Sequence, residues 1–522
     1  MYIGYDMKGG IKYAKLCSSQ RIDGKVKTTQ KSLGRVLDEG KRIYQSRERG
    51  VFTYDVDTGE YGKPDPADIP SVKRWSRKES LILDFGDAYF IDKAIEGFGL
   101  YKAVDAMDYG NNDSVRALLM FYIVSQAANC YAQDWFDGSY ARILFPRANL
   151  ESQRISDILS AIGDEWSYRE FFREYLPLVA NAGKEAGEDV LIDSTGLPNS
   201  IHFPLTAVSS HNGEISNEVR LIYVVQKKTS LPLFFRYVPG NVVDVSTLTK
   251  TIKELKSYNI DTKFATLDAG YLTDENMREL FEGKVSFVSR LKENRKIYKA
   301  VAGCESHDLE RKCNLVEYNS RYVYIKRVKV EVLNPNAADR ILNPDEDPSD
   351  DAYAAYVYLC RDMLMKGIES GKLFSSAKDR GLSAEDVHDR MEGQGVFMLI
   401  SSRPIKKEDV LSIYYMRQQI EQVFDLCKNN TKMLPLRVQS EETFRGHLLL
   451  SFAASVIVKH LQEMVRKTAI TPQGILIALR NHKCKVFDSN ILTMEAAKRA
   501  NDVYRLFKIT VPHEIPKKAD CN

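Results

Sequence analysis

The spacing of apolar residues changes near residue 188, and that change limits what the chain can fold into more than any other feature. From about 80 to 185 apolar side chains recur at helical intervals, as in Val115, Leu118, Leu119, Tyr122 and Ile123, or Ile155, Ile158, Leu159 and Ile162. Such a stripe is one face of a helix. Beyond it come short apolar runs separated by turns and helices. Asp189 to Asp193 (DVLID) predicts a buried strand, and Val219 to Gln226 and Leu231 to Val238 predict a strand pair across a turn at Lys227 to Ser230. Phe264 to Leu267 and Val285 to Val288 predict two more strands, with helices over Asp244 to Tyr258 and Thr273 to Phe281. Three leading strands followed by alternating helices and strands make an α/β sheet.

The segments on either side read differently. Residues 1 to 65 alternate β-formers with polar residues between glycines, which predicts a small basic antiparallel unit. From about 295 to 392 the helix–strand alternation lapses. Arg321 to Leu333 is an amphipathic strand, Asn334 to Asp350 a Pro- and Asp-rich loop, and Tyr353 to Cys360 another strand, so this stretch is expected to be a mainly β insertion. Val396 to Ile400 returns to the buried-strand type and leads into one long helix from Lys406 to about Asn429. The 522 residues are too many for one compact core. The expected parts are a basic β unit at 1–70, a helical region at 80–185, an α/β core at 186–294 and 393–460 with its insertion at 295–392, and a basic helical region at 461–522.

Net charge is only +3, but residues 1–50 carry 12 Lys/Arg against 5 Asp/Glu and residues 401–522 carry 20 against 12, so the middle is acidic. Basic ends suit a polyanion and an acidic middle suits bound cations, although solvated faces give the same pattern. Leu448 to Val458, the longest uncharged apolar stretch, has eleven residues including Ser451 and Ser455. A bilayer needs about 20. The opening MYIGYDMKGG has no apolar core of signal-peptide type, so a cytoplasmic location is expected. Cys304, His307 and Cys313 lie close in sequence without a fourth ligand and read as chance rather than a zinc site.

Three acidic residues fall where an α/β sheet places ligands: Asp193 at the end of the first strand, Asp268 at the end of the fourth, and Glu421 on the long helix. With Tyr414 taken as zero and about 100° per residue, Arg417 falls near 300°, Glu421 near 340° and Lys428 near 320°. Asp425, near 20° on that scale, is a rival to Glu421. The plainer alternative is Arg417 and Glu421 as a surface pair one helical turn apart.

Read as Y-x2-R-x3-E-x6-K, Tyr414, Arg417, Glu421 and Lys428 resemble the signature of bacterial insertion-sequence transposases of the DDE class. LIDSTG (Asp193) and LDAGY (Asp268) resemble that family's first and second acidic motifs, and the Pro239 to Asp244 run (P-G-N-x2-D) is also similar. The resemblance covers about 185–460. It implies an RNase H-like mixed sheet with flanking helices, and metal-dependent DNA cleavage and strand transfer at the element's terminal inverted repeats. It further implies two Mg²⁺ ions, with Mn²⁺ as substitute, Asp193 bridging both, Asp268 on one and Glu421 on the other. Arg417 and Lys428 would contact phosphates and Tyr414 a phosphate or base beside the cut. The implied partners are repeat and target DNA and a second copy of the chain in the paired-end complex, at the nucleoid. A base-flipping aromatic on the insertion, often Trp in hairpin-forming relatives, is not matched by Trp75, Trp135 or Trp166; Tyr322 and Tyr324 are the aromatics in that place. An inactive DNA-binding derivative and an RNase H-like nuclease without strand transfer are the competing readings. The helical region and the basic unit before it are the expected readers of the DNA ends.

Overall fold

The computed structural model describes the chain except residues 9–10, 23–24, 47–48, 66–80, 182–188, 200–204, 210–215, 242–246, 378–380, 435, 437, 439 and 517–522. It divides into two units, one formed by Met1–Leu81 with Val486–Ile491 and the segment from Ile515, the other by Ile82–Lys485 with Leu492–Glu514.

In the first unit, the glycine-punctuated alternation gives an antiparallel meander of β1 (Tyr2–Lys8), β2 (Ile11–Ile22), β3 (Lys25–Asp38), β4 (Ile43–Ser46), β5 (Gly50–Tyr54) and β6 (Tyr61–Gly62), each paired with the next. One set of alternate residues, Ala14, Leu33, Tyr44, Phe52 and Tyr54, is buried together. Gly34 takes φ +98°, and a Cβ there would lie 2.2 Å from the Gln45 carbonyl oxygen. The β2–β3 register shifts beside it. Only glycine fits such a bulge.

The second unit opens with β7 (Leu81–Asp84) and the expected helices: α1 (Gly86–Phe98), α2 (Leu100–Asp105), α3 (Asn112–Val124), α4 (Ala132–Gly138), α5 (Ala141–Leu144), α6 (Ser152–Ala161) and α7 (Glu165–Asn181). Next come β8 (Asp189–Pro198), β9 (Ala207–Ser209), β10 (Ser216–Gln226), β11 (Pro232–Pro239), α8 (Leu248–Ser257), β12 (Phe264–Leu267), α9 (Asp274–Glu282) and β13 (Ser286–Leu291). The expected start of α8 at Asp244 lies outside the described residues. The 295–392 stretch gives α10 (Lys296–Glu305), β14 (Leu315–Tyr318), β15 (Arg321–Val332), β16 (Arg340–Ile341), β17 (Tyr353–Asp362), α11 (Met363–Ala377) and α12 (Ala384–Glu392). After it follow β18 (Val396–Ser401), α13 (Lys407–Tyr415), α14 (Gln418–Asn430) and α15 (Glu441–Met464). The chain closes with α16 (Pro472–Arg480), β19 (Lys483–Val486), β20 (Asn490–Thr493), α17 (Lys498–Leu506) and β21 (Glu514–Pro516). Among the described residues no helix is long and apolar enough to cross a membrane.

One mixed sheet runs β11-β10-β8-β12-β13-β18-β17-β15-β14. β8, β10 and β11 are antiparallel neighbours, β12 is parallel to β8, and β13 is parallel to β12. The remaining strands pair antiparallel.

Four expectations change here. The stretch at 295–392 is not mainly β, because three helices accompany its strands, and those strands extend the core sheet instead of forming a body of their own. Val323, Ile325 and Tyr358 from the stretch are buried in one cluster with Phe264 and Val288 of the leading strands. The first strand does not end at Asp193 but continues to Pro198, because β10 supplies backbone partners along that whole length. The helical region shares the core of the sheet: Phe452 of α15 lies 5.3 Å, ring to ring, from Phe172 of α7 and 5.1 Å from Phe235 of β11. A Cβ on Gly446 of α15 would lie 1.9 Å from the Leu159 carbonyl oxygen of α6, so these helices touch backbone to backbone. The expected single helix from Lys406 is two helices, broken at Met416 and Arg417.

Candidate active site

Sheet register brings the two aspartates together. The parallel β8–β12 pairing ends with Leu267 opposite Ile192, so Asp193 and Asp268 are the next residue on each strand. At that point β12 turns out of the sheet, with Asp268 capping the short turn Ala269–Tyr271. Asp193 stays in its strand opposite Tyr223 of β10 and is buried, 7% exposed. The carboxyl ends of parallel strands are where an α/β sheet leaves room for a site.

The third acid arrives on α14. Tyr223 sets its position, with its ring 5.6 Å from Phe424 and its hydroxyl 3.4 Å from Cys427 Sγ. Ser230 at the β10–β11 turn donates to Gln419 Oε1 at 2.8 Å. The break before α14 is a tightened turn: Arg417 N–H bonds the Tyr414 carbonyl, Gln419 N–H that of Met416, and Ile420 N–H that of Arg417. Three-residue spacing of this kind is 3₁₀-like, so an unbroken 100° progression cannot be carried across it. No proline or glycine in the sequence marks the spot.

The consequence is a carboxylate ring around one guanidinium. Arg417 Nη1 lies 2.6 Å from Asp193 Oδ2 and 3.3 Å from Asp268 Oδ1, and Nη2 lies 3.4 Å from Glu421 Oε1. Both Glu421 and Asp425 are exposed, and Asp425 has no such contact. Burial pushes the Asp193 carboxyl up to about 7, with Asp268 adding to the rise and Arg417 opposing it. Burial works against the charge on Arg417, but Asp193 and Asp268 outweigh it and hold the guanidinium more firmly protonated.

Tyr414 is not on the open face: it is 5% exposed, within the cluster that holds Tyr358 and Val410, with its ring 6.0 Å from the Arg417 guanidinium. Burial raises its hydroxyl pKa to about 12. Its ring lies beside the Arg417 guanidinium from within the core. Lys428 donates to Thr195 Oγ1 at 2.6 Å, two residues along the strand from Asp193. Thr195 was not picked out by the sequence reading, although residues two apart on a strand share a face. Tyr322 on β15 is exposed, 56%; Trp75 lies outside the described residues.

Among the described residues no three His, Cys, Asp or Glu side chains are gathered closely enough to share a metal ion. Between these acids stands the guanidinium. Asp193, Asp268 and Glu421 nevertheless supply the hard oxygen donors that a divalent ion prefers, so the donor types, though not their present spacing, fit such an ion.

No curated protein matches the chain. Among solved structures, a cryo-EM structure of the piggyBac transposase synaptic complex with hairpin DNA is similar over 76% of this chain and 79% of that one, at 10% identity and a TM-score of 0.39. Residues 186–457 match the family described as the transposase DDE domain. The matched span is more than half of the chain and contains Asp193, Asp268, Tyr414, Arg417, Glu421 and Lys428. By that match, the chain belongs to the transposase DDE domain family.

Proposed function

We propose that the protein is an insertion-sequence transposase that binds terminal inverted repeats and catalyses DNA cleavage and strand transfer, with Asp193, Asp268 and Glu421 as its catalytic acids. The observation that carries this reading is the meeting of three acids, from β8, the end of β12 and α14, around one cationic group. Three leading antiparallel strands and two more parallel to the first support an RNase H-like core in β11-β10-β8-β12-β13.

Asp193, Asp268 and Glu421 are the residues that would hold two divalent ions, Mg²⁺ or Mn²⁺ as substitute. Such ions, when bound, neutralise charge on the scissile phosphate and activate water or a 3′-hydroxyl. The chain's own groups do the rest. Asp193 must be ionised to act as a ligand, so ion binding releases its proton. Arg417, displaced from the carboxylates, has a phosphate as its natural next partner, since a guanidinium matches phosphate oxygens in a two-pronged fork. Tyr414 positions Arg417 from beneath, and Lys428, close to the Asp193 strand, holds a second phosphate. Repeat and target DNA are the substrates, two copies of the chain pair the ends, and the nucleoid is the place of action.

The test is cleavage of the element's ends in Mg²⁺. Asp193→Asn, Asp268→Asn and Glu421→Gln should each abolish cutting while leaving end binding largely intact. Full cleavage by any one of them removes that residue from the site.

A further inference from the structure

Basic side chains that line a partly buried cleft are commonly paired with carboxylates, and one large cleft of the second unit follows that rule. In the cavity of about 870 Å³ between α7, α8 and α15, Arg169, Arg173, Arg236 and Arg445 are paired with Glu165, Glu170, Glu254 and Glu441 respectively. A second cavity, of about 750 Å³, breaks it. Its walls come from α6, α14, α15 and the segment before α4, and they include Lys428, Lys432 and His447 but, among the described residues, no aspartate or glutamate.

We infer that this second cavity is a phosphate site that takes a backbone phosphodiester of the DNA strand leading into the active site, with Lys432 as its principal ligand. The inference rests on the transposase reading for the identity of the DNA. The site itself rests on three other observations. Lys432 Nζ is buried without a hydrogen-bond partner, 3.0 Å from the centroid of the Phe121 ring. The ring face offsets that burial only in part, and an anion entering from the cavity would supply the missing acceptor. Lys432 also takes φ +60°, just past the end of α14. This left-handed residue closes the helix, as Lys284 and Lys508 do two residues past α9 and α17, and sets where the Lys432 side chain leaves the backbone. Finally, Lys428 lines the same cavity and also bonds Thr195, two residues from Asp193, which places the cavity next to the candidate active site.

The groups around the Lys432 amine are Phe121 and Tyr122 of α3, Cys130 and His447 of α15. His447 accepts or donates through Nδ1 to the Tyr122 hydroxyl at 2.8 Å, and burial lowers its pKa to about 4. Burial likewise lowers Lys432, to about 6, which favours the neutral amine until an anion arrives. Phosphate arriving beside it would draw one proton from solvent onto the amine.

The experiment uses the full chain in EDTA, so that no cleavage occurs, with a short duplex of arbitrary sequence as one probe and inorganic phosphate as another. Calorimetry in two buffers of different ionisation enthalpy should show uptake of about one proton when wild type binds the duplex near neutral pH, and none for Lys432→Met. Duplex affinity of Lys432→Met should fall roughly tenfold, with the salt slope flattened by about 0.9. Cys130→Asp puts a carboxylate at an exposed edge of the same cavity and should weaken the duplex similarly without disturbing the fold. Unchanged proton uptake and salt slope in Lys432→Met overturn the proposal. So does a site that inorganic phosphate stabilises in a Lys432-dependent way while duplex binding ignores both substitutions, because the ligand is then a free anion. Loss of cleavage in the Asp193, Asp268 and Glu421 variants is a separate result and decides only the catalytic reading. A wild type that binds no duplex sinks both.

Discussion

Replacing Asp193 by asparagine should stabilise the second unit above neutral pH, although it removes a residue at the centre of the site. Asp193 is buried on the sheet, and its carboxyl is raised from 3.8 to about 7 chiefly by that burial. A folded-state pKa above the unfolded one means that the group's contribution is fully favourable below about pH 4, declines as pH rises, and has become a fixed cost above about 7. A difference of about three pH units corresponds to roughly 4 kcal/mol. Asparagine carries no such cost. The stability difference, variant minus wild type, should therefore grow from near zero at about pH 4 towards a ceiling of about 4 kcal/mol at about pH 8, rising by no more than about 1.4 kcal/mol per pH unit. The value is a ceiling because the carboxamide matches a protonated carboxyl imperfectly at the 2.6 Å contact with Arg417. Urea unfolding in EDTA at several pH values, followed by tryptophan fluorescence, measures it. Trp135 lies 5.3 Å from the Phe121 ring within this unit and reports its unfolding. Mg²⁺ should then stabilise wild type most above neutral pH and leave Asp193→Asn unmoved. A variant that is less stable than wild type at about pH 8, or a difference that is flat from about pH 5 to 8, would show that Asp193 is comfortably ionised and that the burial argument is wrong.

Other expectations separate close alternatives. Glu421→Gln should abolish cleavage of the element's ends whereas Asp425→Asn should keep it, because only Glu421 contacts the Arg417 cluster; the reverse outcome in a Mg²⁺ cleavage assay would reassign the third acid. Lys428→Ala should weaken end binding and flatten its salt slope by about 0.9, measured by titration over a range of salt; an unchanged slope would leave Lys428 as a structural partner of Thr195. Gly446→Ala places a carbon 1.9 Å from the Leu159 carbonyl oxygen and should cost about 1–3 kcal/mol in urea unfolding, since α6 and α15 must separate; no loss would mean that the helices do not pack so closely. Deleting residues 1–81 should remove the preference for terminal repeats over scrambled DNA at one fixed salt while the second unit stays folded. A cut at 180 cannot make the same test, because it strips α3, α6 and α7 from the shared core.

Local chemistry was enough to show several parts of this molecule in the sequence. The apolar run Phe264–Leu267 is a strand at both of its predicted ends, the turn at Lys227 to Ser230 does join two strands, and the stripes Val115 to Ile123 and Ile155 to Leu159 are buried helix faces. These depend on period and turn residues within a dozen positions, which a single chain displays openly. Asp268 after a strand and Glu421 on a helix were readable in the sequence; that Asp193 lies within its strand and that Arg417 touches all three acids was not. Ser194, Thr195 and Gly196 look like a turn and are strand only because β10 lies alongside. The strands of the 295–392 stretch join the core sheet because Val323, Ile325 and Tyr358 are buried against Phe264 and Val288, partners some tens of residues away. The break at Met416 and Arg417 carries no local breaker. It lets Tyr414 stay in the core while Arg417 turns into the acids, and that choice between Glu421 and Asp425 exists only once α14 is pinned on Tyr223. Periodicity fixes which face of an element is apolar; which distant surface that face meets is settled by packing, and the geometry of the site follows from the packing.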